Sequence, residues 1–258
     1  MGNFTYLTHE ENAVSADACV VTGSTTASSS YAASNTKSLP IAKHWRSTGV
    51  SSENLQIDLG SAKTVDLIGI VNHNLTSSAV ITVYAGSAAN PDGTQFSTTI
   101  SWREFDAFKL MSTAQTYRYW KFIFANGSNP DGYIRVGYLL VGNSTTFDFH
   151  WQYGAKMTDR FVNLDNISAG GVPYVETKYG IIIHSFEFGP LSVTNMVTLR
   201  TLYRDLMGSA KPLFIIPESQ TNDGYFGRFI NDFARTLNYY EYANLDFRED
   251  GRGRSISA

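Results

Sequence analysis

The residue types that most often carry out chemistry are scattered along this sequence. A transition-metal site usually needs His, Cys or carboxylate ligands at short, fixed spacings such as His-x-x-x-His or paired cysteines. The sequence has one cysteine, Cys19, and no two histidines fall at that spacing. The five histidines are His9, His44, His73, His150 and His184. The sequence therefore predicts no metal site.

The sequence also lacks patterns typical of catalysis. It contains no Gly-x-Ser-x-Gly nucleophile motif and no phosphate-binding glycine-rich loop. Hydrolysis of a glycosidic bond needs two carboxylates across the substrate. The adjacent acids Glu10-Glu11 and Glu249-Asp250 lie near the chain ends, where solvated charge is the simpler interpretation. We therefore predict no catalytic residue, no cofactor and no enzyme, with a glycan hydrolase kept as an alternative.

Binding of a sugar is the other chemistry that the residue types allow. The candidate contacts are His73, Asn74, Trp102 and Arg103. Trp45, Trp102 and Trp120 carry rings that stack on sugars, but Trp120 lies in an apolar run typical of a core strand. For Trp102 two interpretations stay open, a ring in the core and a platform on which a sugar stacks. His73 and Asn74 are predicted either to bind a ligand hydroxyl or to satisfy backbone groups where a strand ends.

The elements that must position these residues are predicted to be β-strands. Leu55, Ile57 and Leu59 alternate with polar residues, which indicates a half-buried strand that ends at Gly60. Further strands are predicted at 65–71, 80–84, 119–124 and 134–141. The tetrapeptide Asn-Pro-Asp-Gly occurs twice, at 90–93 and 129–132, and predicts a tight turn each time. Short strands separated by turns favour an antiparallel β-sandwich.

The composition changes after the polar segment 142–146, which we interpret as a linker. The predicted domains are therefore 1–147, a β-sandwich, and 148–258, a second β domain with strands at 181–188 and 213–217.

One α-helix is predicted over about 193–207, with Ser192 as its N-cap and Gly208 as the C′ residue. Met196, Leu199, Tyr203 and Leu206 recur at helical spacing. We therefore expect this helix to lay one face on a sheet, and the fold class to be mainly β.

Charge and composition exclude several kinds of partner. The net charge of −3 gives no electrostatic basis for binding nucleic acid or an anionic membrane. The apolar runs are far shorter than a membrane span, so no membrane insertion is predicted. With one cysteine and no pattern typical of a signal peptide, synthesis in a reducing cytoplasm is expected.

Several segments of the first half resemble the discoidin family of galactose-binding-like domains. They include His44-Trp45, residues 54–60 and 65–70, Arg118 to Phe122, and residues 134–142. The resemblance implies a jelly-roll sandwich, and many members of the family bind sugars or lipids through loops at one end. The disulfide frequent in that family is absent, because the sequence has a single cysteine.

Other segments resemble phage virion proteins. These are residues 71–75 leading into 79–84, Phe186-Glu187-Phe188 with the predicted helix, and the late residues 239–247. The resemblance implies a distal tail protein of a long-tailed phage, with a tail-tube-like or hub-like C-terminal domain.

The predicted function is then a structural component of the tail tip or baseplate. The expected partners are copies of itself in a ring, with a hexamer favoured, and the tube, hub and tape-measure proteins. The expected location is the tail tip of the virion, after synthesis in the bacterial cytoplasm, and a host glycan is a further candidate ligand. The alternative function is a carbohydrate-binding module for adhesion to the host surface.

Overall fold

The computed structural model describes residues 3–152, 156–167, 170–218, 223–237 and 241–250. The chain divides into two compact units, Thr5–Thr145, here called the sandwich unit, and Met1–Phe4 with Thr146–Ala258, here called the second unit. The sequence predicted a division after residue 147, with all earlier residues in the first domain. Phe4 and Thr146 instead group with the second unit.

Strands make up most of the sandwich unit. They are β1 (Thr5–Thr8), β2 (Val20–Gly23), β3 (Trp45–Arg46), β4 (Glu53–Val71), β5 (Val80–Gly86), β6 (Phe96–Ile100), β7 (Asp106–Ala125), β8 (Arg135–Val136) and β9 (Tyr138–Gly142), with β10 (Thr145–Thr146) at the unit boundary. Short 3-10 helices span Ala13–Ser15, Ser29–Tyr31 and Ala33–Lys37.

The two long strands β4 and β7 form the frame of this unit. The order of the main sheet is β2-β4-β7-β5-β6, with β9 also paired to β4. The pairing of β4 with β7 shifts register between Asp58 and Lys63 and again between Val65 and Leu67. Such irregularities bend strands and let them pass from one layer of a sandwich to the other. The predicted β-sandwich is confirmed.

The predicted strand end at Gly60 is wrong. The chain passes through Gly60 with φ +77 and continues as the same strand to Val71. Gly60 adopts this backbone conformation without the steric cost of a Cβ, and its N–H donates to Asp58 Oδ1 (2.8 Å). The glycine therefore lies at a bend within the strand rather than at its end.

Large apolar side chains fill the core of the sandwich unit. Trp45, Trp120, Phe122 and Phe124 are all 0% exposed. Complete burial of such a ring contributes about 1.5–3 kcal/mol of transfer free energy. Trp120 is thus a core residue, as predicted, and Trp45 is equally inaccessible to a sugar.

Strands also dominate the second unit. They are β11 (Lys156–Ile167), β12 (Pro173–Leu191), β13 (Leu213–Ile216), β14 (Tyr225–Phe229), β15 (Ala234–Leu237) and β16 (Glu241–Glu249). Within this unit the order is β13-β14-β16-β12-β11, and β15 also pairs with β16. The predicted strands at 181–188 and 213–217 are found inside β12 and as β13.

The helix of the second unit, α1, spans Val193–Asp205. Ser192 is its N-cap, as predicted, and accepts a hydrogen bond from the Asn195 N–H (3.1 Å). Its buried face contains Met196, Leu199 and Leu202, and the helix packs against β12 and β16.

The C-terminal end of α1 differs from the prediction, which extended the helix to 207 and placed Gly208 at C′. Met207 occupies the left-handed C′ position with φ 52, and its N–H donates to the Arg204 carbonyl oxygen (2.9 Å). Gly208 follows at C″ and donates to the Tyr203 carbonyl oxygen (2.9 Å). These two bonds form a Schellman motif, which ends the helix two residues early.

The fold class is confirmed as mainly β, with one α-helix in the described part of the chain. Among the described residues no helix is both long enough and apolar enough to cross a bilayer.

Candidate functional site

Two of the predicted sugar-contact residues bind backbone groups, His73 in its own loop and Asn74 in the segment around Tyr133. His73 is 2% exposed, and its Nδ1 accepts a hydrogen bond from the Leu75 N–H (3.1 Å). Asn74 donates through Nδ2 to the Tyr133 carbonyl oxygen (2.9 Å) and accepts through Oδ1 from the Arg135 N–H (2.7 Å). Asn74 thus fixes the position of the segment that enters β8.

The other two candidates, Trp102 and Arg103, also have structural contacts. Trp102 packs partly buried against the core, and its Nε1 donates to the Leu75 carbonyl oxygen (2.8 Å). The Arg103 guanidinium lies 5.4 Å from the centre of the Phe108 ring. The structure therefore brings Trp102 beside the 73–75 loop and places Arg103 over Phe108. Contact of these four residues with a glycan stays a prediction.

A second loop completes the support of Asn74. Asn129 donates through Nδ2 to the Asn74 carbonyl oxygen (3.0 Å) and accepts through Oδ1 from the Asp131 N–H (3.0 Å). Asp131 Oδ2 in turn accepts from Asn74 Nδ2 (2.8 Å). These bonds hold the loop of residues 129–132 against the loop that follows β4.

Beside this network lies a group of side chains that we call the arginine–tyrosine cluster. Its members are Tyr31, His44, Arg46, Tyr133 and Arg135. The short strands β3 and β8 pair in register, with Trp45 opposite Val136 and Arg46 opposite Arg135. Trp45 and Val136 are fully buried. Because neighbouring residues of a strand point to opposite faces, the two arginines lie together on the other face.

Aromatic rings surround the first of these arginines. The Arg46 Cζ lies 3.6 Å from the centre of the Tyr133 ring and 5.6 Å from the centre of the Tyr31 ring. Tyr31 in turn stacks on His44, with ring centres 5.0 Å apart and planes 27° apart. Stacking of this kind holds a guanidinium in place by cation–π attraction and leaves its N–H groups able to donate.

Hydrogen bonds to backbone carbonyl groups hold the segment 24–46 together. Asn35 Nδ2 donates to the carbonyl oxygens of Ser30 (2.9 Å) and His44 (3.1 Å). Trp45 Nε1 donates to the Thr25 carbonyl oxygen (2.9 Å), and the Ala27 N–H donates to that of Arg46 (2.9 Å). The Ser- and Thr-rich segment around Tyr31 is therefore ordered next to β3.

The charges of two arginines act on His44. The pKa of His44 lies below its ordinary value, first because of burial and then because of the charges of Arg135 and Arg46, against the raising effect of its bond to the Ala42 carbonyl oxygen. The buried Nε of Arg46 has no hydrogen-bond partner within the described residues. An arginine next to two ring faces suits a ligand rich in oxygen acceptors.

Candidate catalytic and metal-binding groups are placed differently. Within the described residues, no group of three or more His, Cys, Asp or Glu side chains is positioned to hold a metal ion. Glu11 accepts from the N–H (3.1 Å) and hydroxyl (2.9 Å) of Thr8, and Glu249 bonds to His184 (2.8 Å). These acids therefore have structural partners.

Sequence reasoning did not assign the cluster. His44 was named only among the histidines and in a family resemblance, and Arg135 was included only in a predicted strand. The available signal was alternation, since Arg46 follows a core tryptophan and Arg135 precedes a core valine. That pattern places each arginine on an outer face, but it does not show that the two strands pair.

Comparison with known proteins gives structural matches only. No protein-family model and no curated protein matches this chain.

Three solved structures illustrate the structural matches. Chitosan-binding module 1 of a chitosanase/glucanase from Paenibacillus sp. IK-5 has 20% identity, covers 51% of this chain and 98% of its own, and gives a TM-score of 0.42. Module 2 of the same enzyme, in complex with chitotriose, has 16% identity, covers 48% of this chain and 95% of its own, and gives a TM-score of 0.40. The family 32 carbohydrate-binding module of Clostridium perfringens NanJ, in complex with galactose, has 13% identity, covers 55% of this chain and 99% of its own, and gives a TM-score of 0.39.

None of these three is a phage tail protein, and the resemblance to tail proteins stays a prediction.

Proposed function

We propose that the sandwich unit binds carbohydrate and that the arginine–tyrosine cluster is its binding site. The observation that carries this proposal is the stacking of Arg46 beside Tyr133, whose ring centre lies 3.6 Å from the Arg46 Cζ. A guanidinium beside a ring face combines hydrogen-bond donors with an apolar surface in one place.

The chemistry of the cluster matches that of a sugar. A sugar ring presents hydroxyl and ring oxygens at its edge and apolar C–H groups on its faces. Arginine supplies several N–H donors in a fixed plane, and tyrosine supplies a flat apolar face with a polar tip. Tyr133, 3.6 Å from the Arg46 Cζ, brings both features together.

The site is also held in place before a ligand arrives. Tyr133 and Arg135 are fixed through Asn74, and His44 is fixed through Asn35. Because these bonds restrict the backbone that carries the cluster, less conformational entropy is lost on binding. We propose binding without turnover, and assays of the full-length chain for release of reducing sugar should detect none.

The test is glycan binding by the full-length chain and two tyrosine variants. Tyr133→Ala should weaken binding roughly tenfold, because it removes a ring face and the stacking that positions Arg46. Tyr119→Ala is the matched control, since Tyr119 also lies beside an arginine, 4.8 Å from Arg118. The proposal fails if the full-length chain binds no glycan of a broad array, or if both variants weaken binding equally.

A second candidate function is the structural role in a phage tail tip. It is favoured by exposed apolar side chains on the hairpin of β11 and β12, which are Met157, Phe161, Leu164, Ile167, Tyr174 and Val175, each between 48% and 75% exposed. In the strand order β11 is terminal, so no described strand pairs with its outer edge. Exposed edges and apolar patches favour association between chains.

We propose for this candidate that the second unit carries the self-association of a ring, with six copies favoured, located at the tail tip. Light scattering of the full-length chain should show an oligomer that the double variant Phe161→Ser, Ile167→Ser abolishes. Val20→Ser is the control, because Val20 is equally exposed (57%) but lies in the sandwich unit. A monomer at every concentration, or an oligomer disrupted by the control alone, would contradict this role.

A further inference from the structure

We infer that an aromatic pocket in the second unit binds a quaternary ammonium group, such as that of choline. The pocket has a volume of about 220 Å³, below the roughly 300–1,000 Å³ of sites for drug-sized ligands, so it suits a small ligand. It lies in a different unit from the arginine–tyrosine cluster, and binding there does not require the proposed carbohydrate site.

Four aromatic rings among the described residues line this pocket. His184 and Phe186 lie two residues apart on β12 and share its buried face, with ring centres 6.1 Å apart and planes 6° apart. Trp151 lies against Phe186 (6.1 Å between ring centres), and Tyr225 of β14 lies against His184 (4.2 Å). Trp151 and Tyr225 are half-buried, so part of each ring is open to a ligand.

Hydrogen bonds fix two of these rings in place. Trp151 Nε1 donates to the Pro217 carbonyl oxygen (3.0 Å), and His184 Nε2 bonds to Glu249 Oε1 (2.8 Å). Because these ring nitrogens are engaged within the protein, the rings offer a ligand mainly their π surface. Walls that are held before a ligand arrives lose little conformational entropy on binding.

Acidic side chains favour a cation in this pocket. Glu218 and Asp223 also line it, and among its described lining residues Lys156 is the one aliphatic base. A third carboxylate, that of Glu249, bonds to His184. Ring faces attract cations, and nearby carboxylates add to that attraction. A quaternary ammonium group has no N–H to donate and carries its charge on methyl groups, so ring faces suit it better than hydrogen-bond acceptors do.

The experiment compares choline with its neutral isostere, 3,3-dimethylbutan-1-ol, by isothermal titration of the full-length chain. The two molecules have the same shape, and only choline carries a charge. Choline should bind with a dissociation constant of about 1 mM or below, and about tenfold more tightly than the alcohol.

Phosphocholine distinguishes two sources of the same ammonium group. Tighter binding of phosphocholine than of choline identifies a headgroup that contains phosphate as the natural ligand. Tighter binding of choline identifies the free base, because the phosphate is then repelled by Glu218 and Asp223. Either order supports the inference, provided that both bind more tightly than the neutral alcohol.

Variants then assign the binding to the pocket. Tyr225→Leu should weaken choline binding about tenfold, whereas Tyr225→Phe keeps the ring and should retain the affinity within about twofold. Tyr203→Leu is the matched control, because Tyr203 is also a half-buried tyrosine of the second unit but packs against Phe229. Asp223→Asn, at an exposed position, should weaken choline binding roughly threefold and leave the affinity for the alcohol unchanged.

Four results would overturn the inference. They are no choline binding at about 10 mM, equal affinity for choline and the alcohol, equal losses in Tyr225→Leu and Tyr203→Leu, and unchanged choline affinity in Asp223→Asn. The last result decides the matter even where circular dichroism shows that Tyr225→Leu does not fold. Glycan binding by the full-length chain is expected to be the same in all of these variants, because the arginine–tyrosine cluster lies in the sandwich unit.

Discussion

Arg46 and Arg118 are two arginines of the same sandwich unit in opposite electrostatic settings. Both lie beside a tyrosine ring, Arg46 at 3.6 Å from Tyr133 and Arg118 at 4.8 Å from Tyr119. Arg118 donates through Nε (2.7 Å) and a terminal nitrogen (2.8 Å) to the two oxygens of Asp58. Arg46 instead faces a second arginine across the ladder.

The difference lies in the charge of the residue that each arginine faces. The hydrogen bonds from Arg118 are the main reason why the pKa of Asp58 lies below its ordinary value, and the pair needs no further ion. The two charges at Arg46 and Arg135 are brought together by the fold without such a pair between them. A ring beside an arginine is therefore common to both settings, and the charge of the opposing residue distinguishes them.

The largest expected effect is on the stability of the core on which both arginines lie. Trp45→Ala and Trp120→Ala should each lower the free energy of unfolding by about 3–5 kcal/mol, because each removes a fully buried ring. Chemical denaturation monitored by circular dichroism measures this change. Unchanged stability in either variant would mean that the corresponding ring is not in the core.

The next effect separates the two arginines by function. Arg46→Gln should weaken glycan binding by about 10- to 100-fold, since hydrogen bonds to a charged group contribute about 1.5–3 kcal/mol. Arg118→Gln should leave the affinity within about twofold. Titration calorimetry with a glycan that the full-length chain binds measures both. Equal losses of affinity in the two variants would show that Arg46 and Arg118 do not differ in function.

A smaller effect concerns pH and His44, which faces Arg46, Arg135 and Tyr31. Its lowered pKa keeps the imidazole neutral at pH 7, so protonation occurs below about pH 6.5 and adds a third positive charge.

The lowered pKa of His44 also affects the stability of the fold. The folded state favours neutral His44, so the unfolded chain binds more protons below about pH 6.5. The free energy of unfolding should then decrease as the pH falls below that value. The decrease should be smaller in His44→Gln.

The smallest expected effect comes from replacing Asp58, the acid that pairs with Arg118. Asp58→Asn should cost about 0.2–1 kcal/mol of stability, because the side chains of Arg118 and Asp58 are 41% and 31% exposed and solvent screens their attraction. It should not create a glycan site at Arg118, since no second arginine lies opposite. Thermal denaturation and the glycan array measure these two expectations, and glycan binding gained at Arg118 would show that a single unpaired arginine is sufficient.

Local sequence signals predicted many elements of both units. The strands at 80–84, 119–124, 181–188 and 213–217 and the N-cap Ser192 were predicted from alternation, apolar runs and capping chemistry, which act over a few residues. The end of α1 was not, because Met207 takes the left-handed conformation that glycine usually supplies. The hydrogen bonds of the Schellman motif compensate for that cost, and they depend on where the helix packs.

The repeated tetrapeptide shows the limit of such signals. At 129–132 the Gly132 N–H donates to the Asn129 carbonyl oxygen (3.2 Å), and the turn has the predicted form. At 90–93 the first residue, Asn90, has φ 56, and Asp92 accepts from the N–H (3.0 Å) and hydroxyl (2.8 Å) of Thr94. Identical residues thus form different turns, because the strands on either side impose different geometries.

The candidate site depends still more on tertiary structure. The sequence by itself determined the β-rich fold class and the buried position of Trp120. It could not place Arg135 opposite Arg46, because that pairing joins two strands far apart in the chain. Only the register of β3 and β8, fixed by burial of Trp45 and Val136 on the inner face, brings the two positive charges together on the outer one.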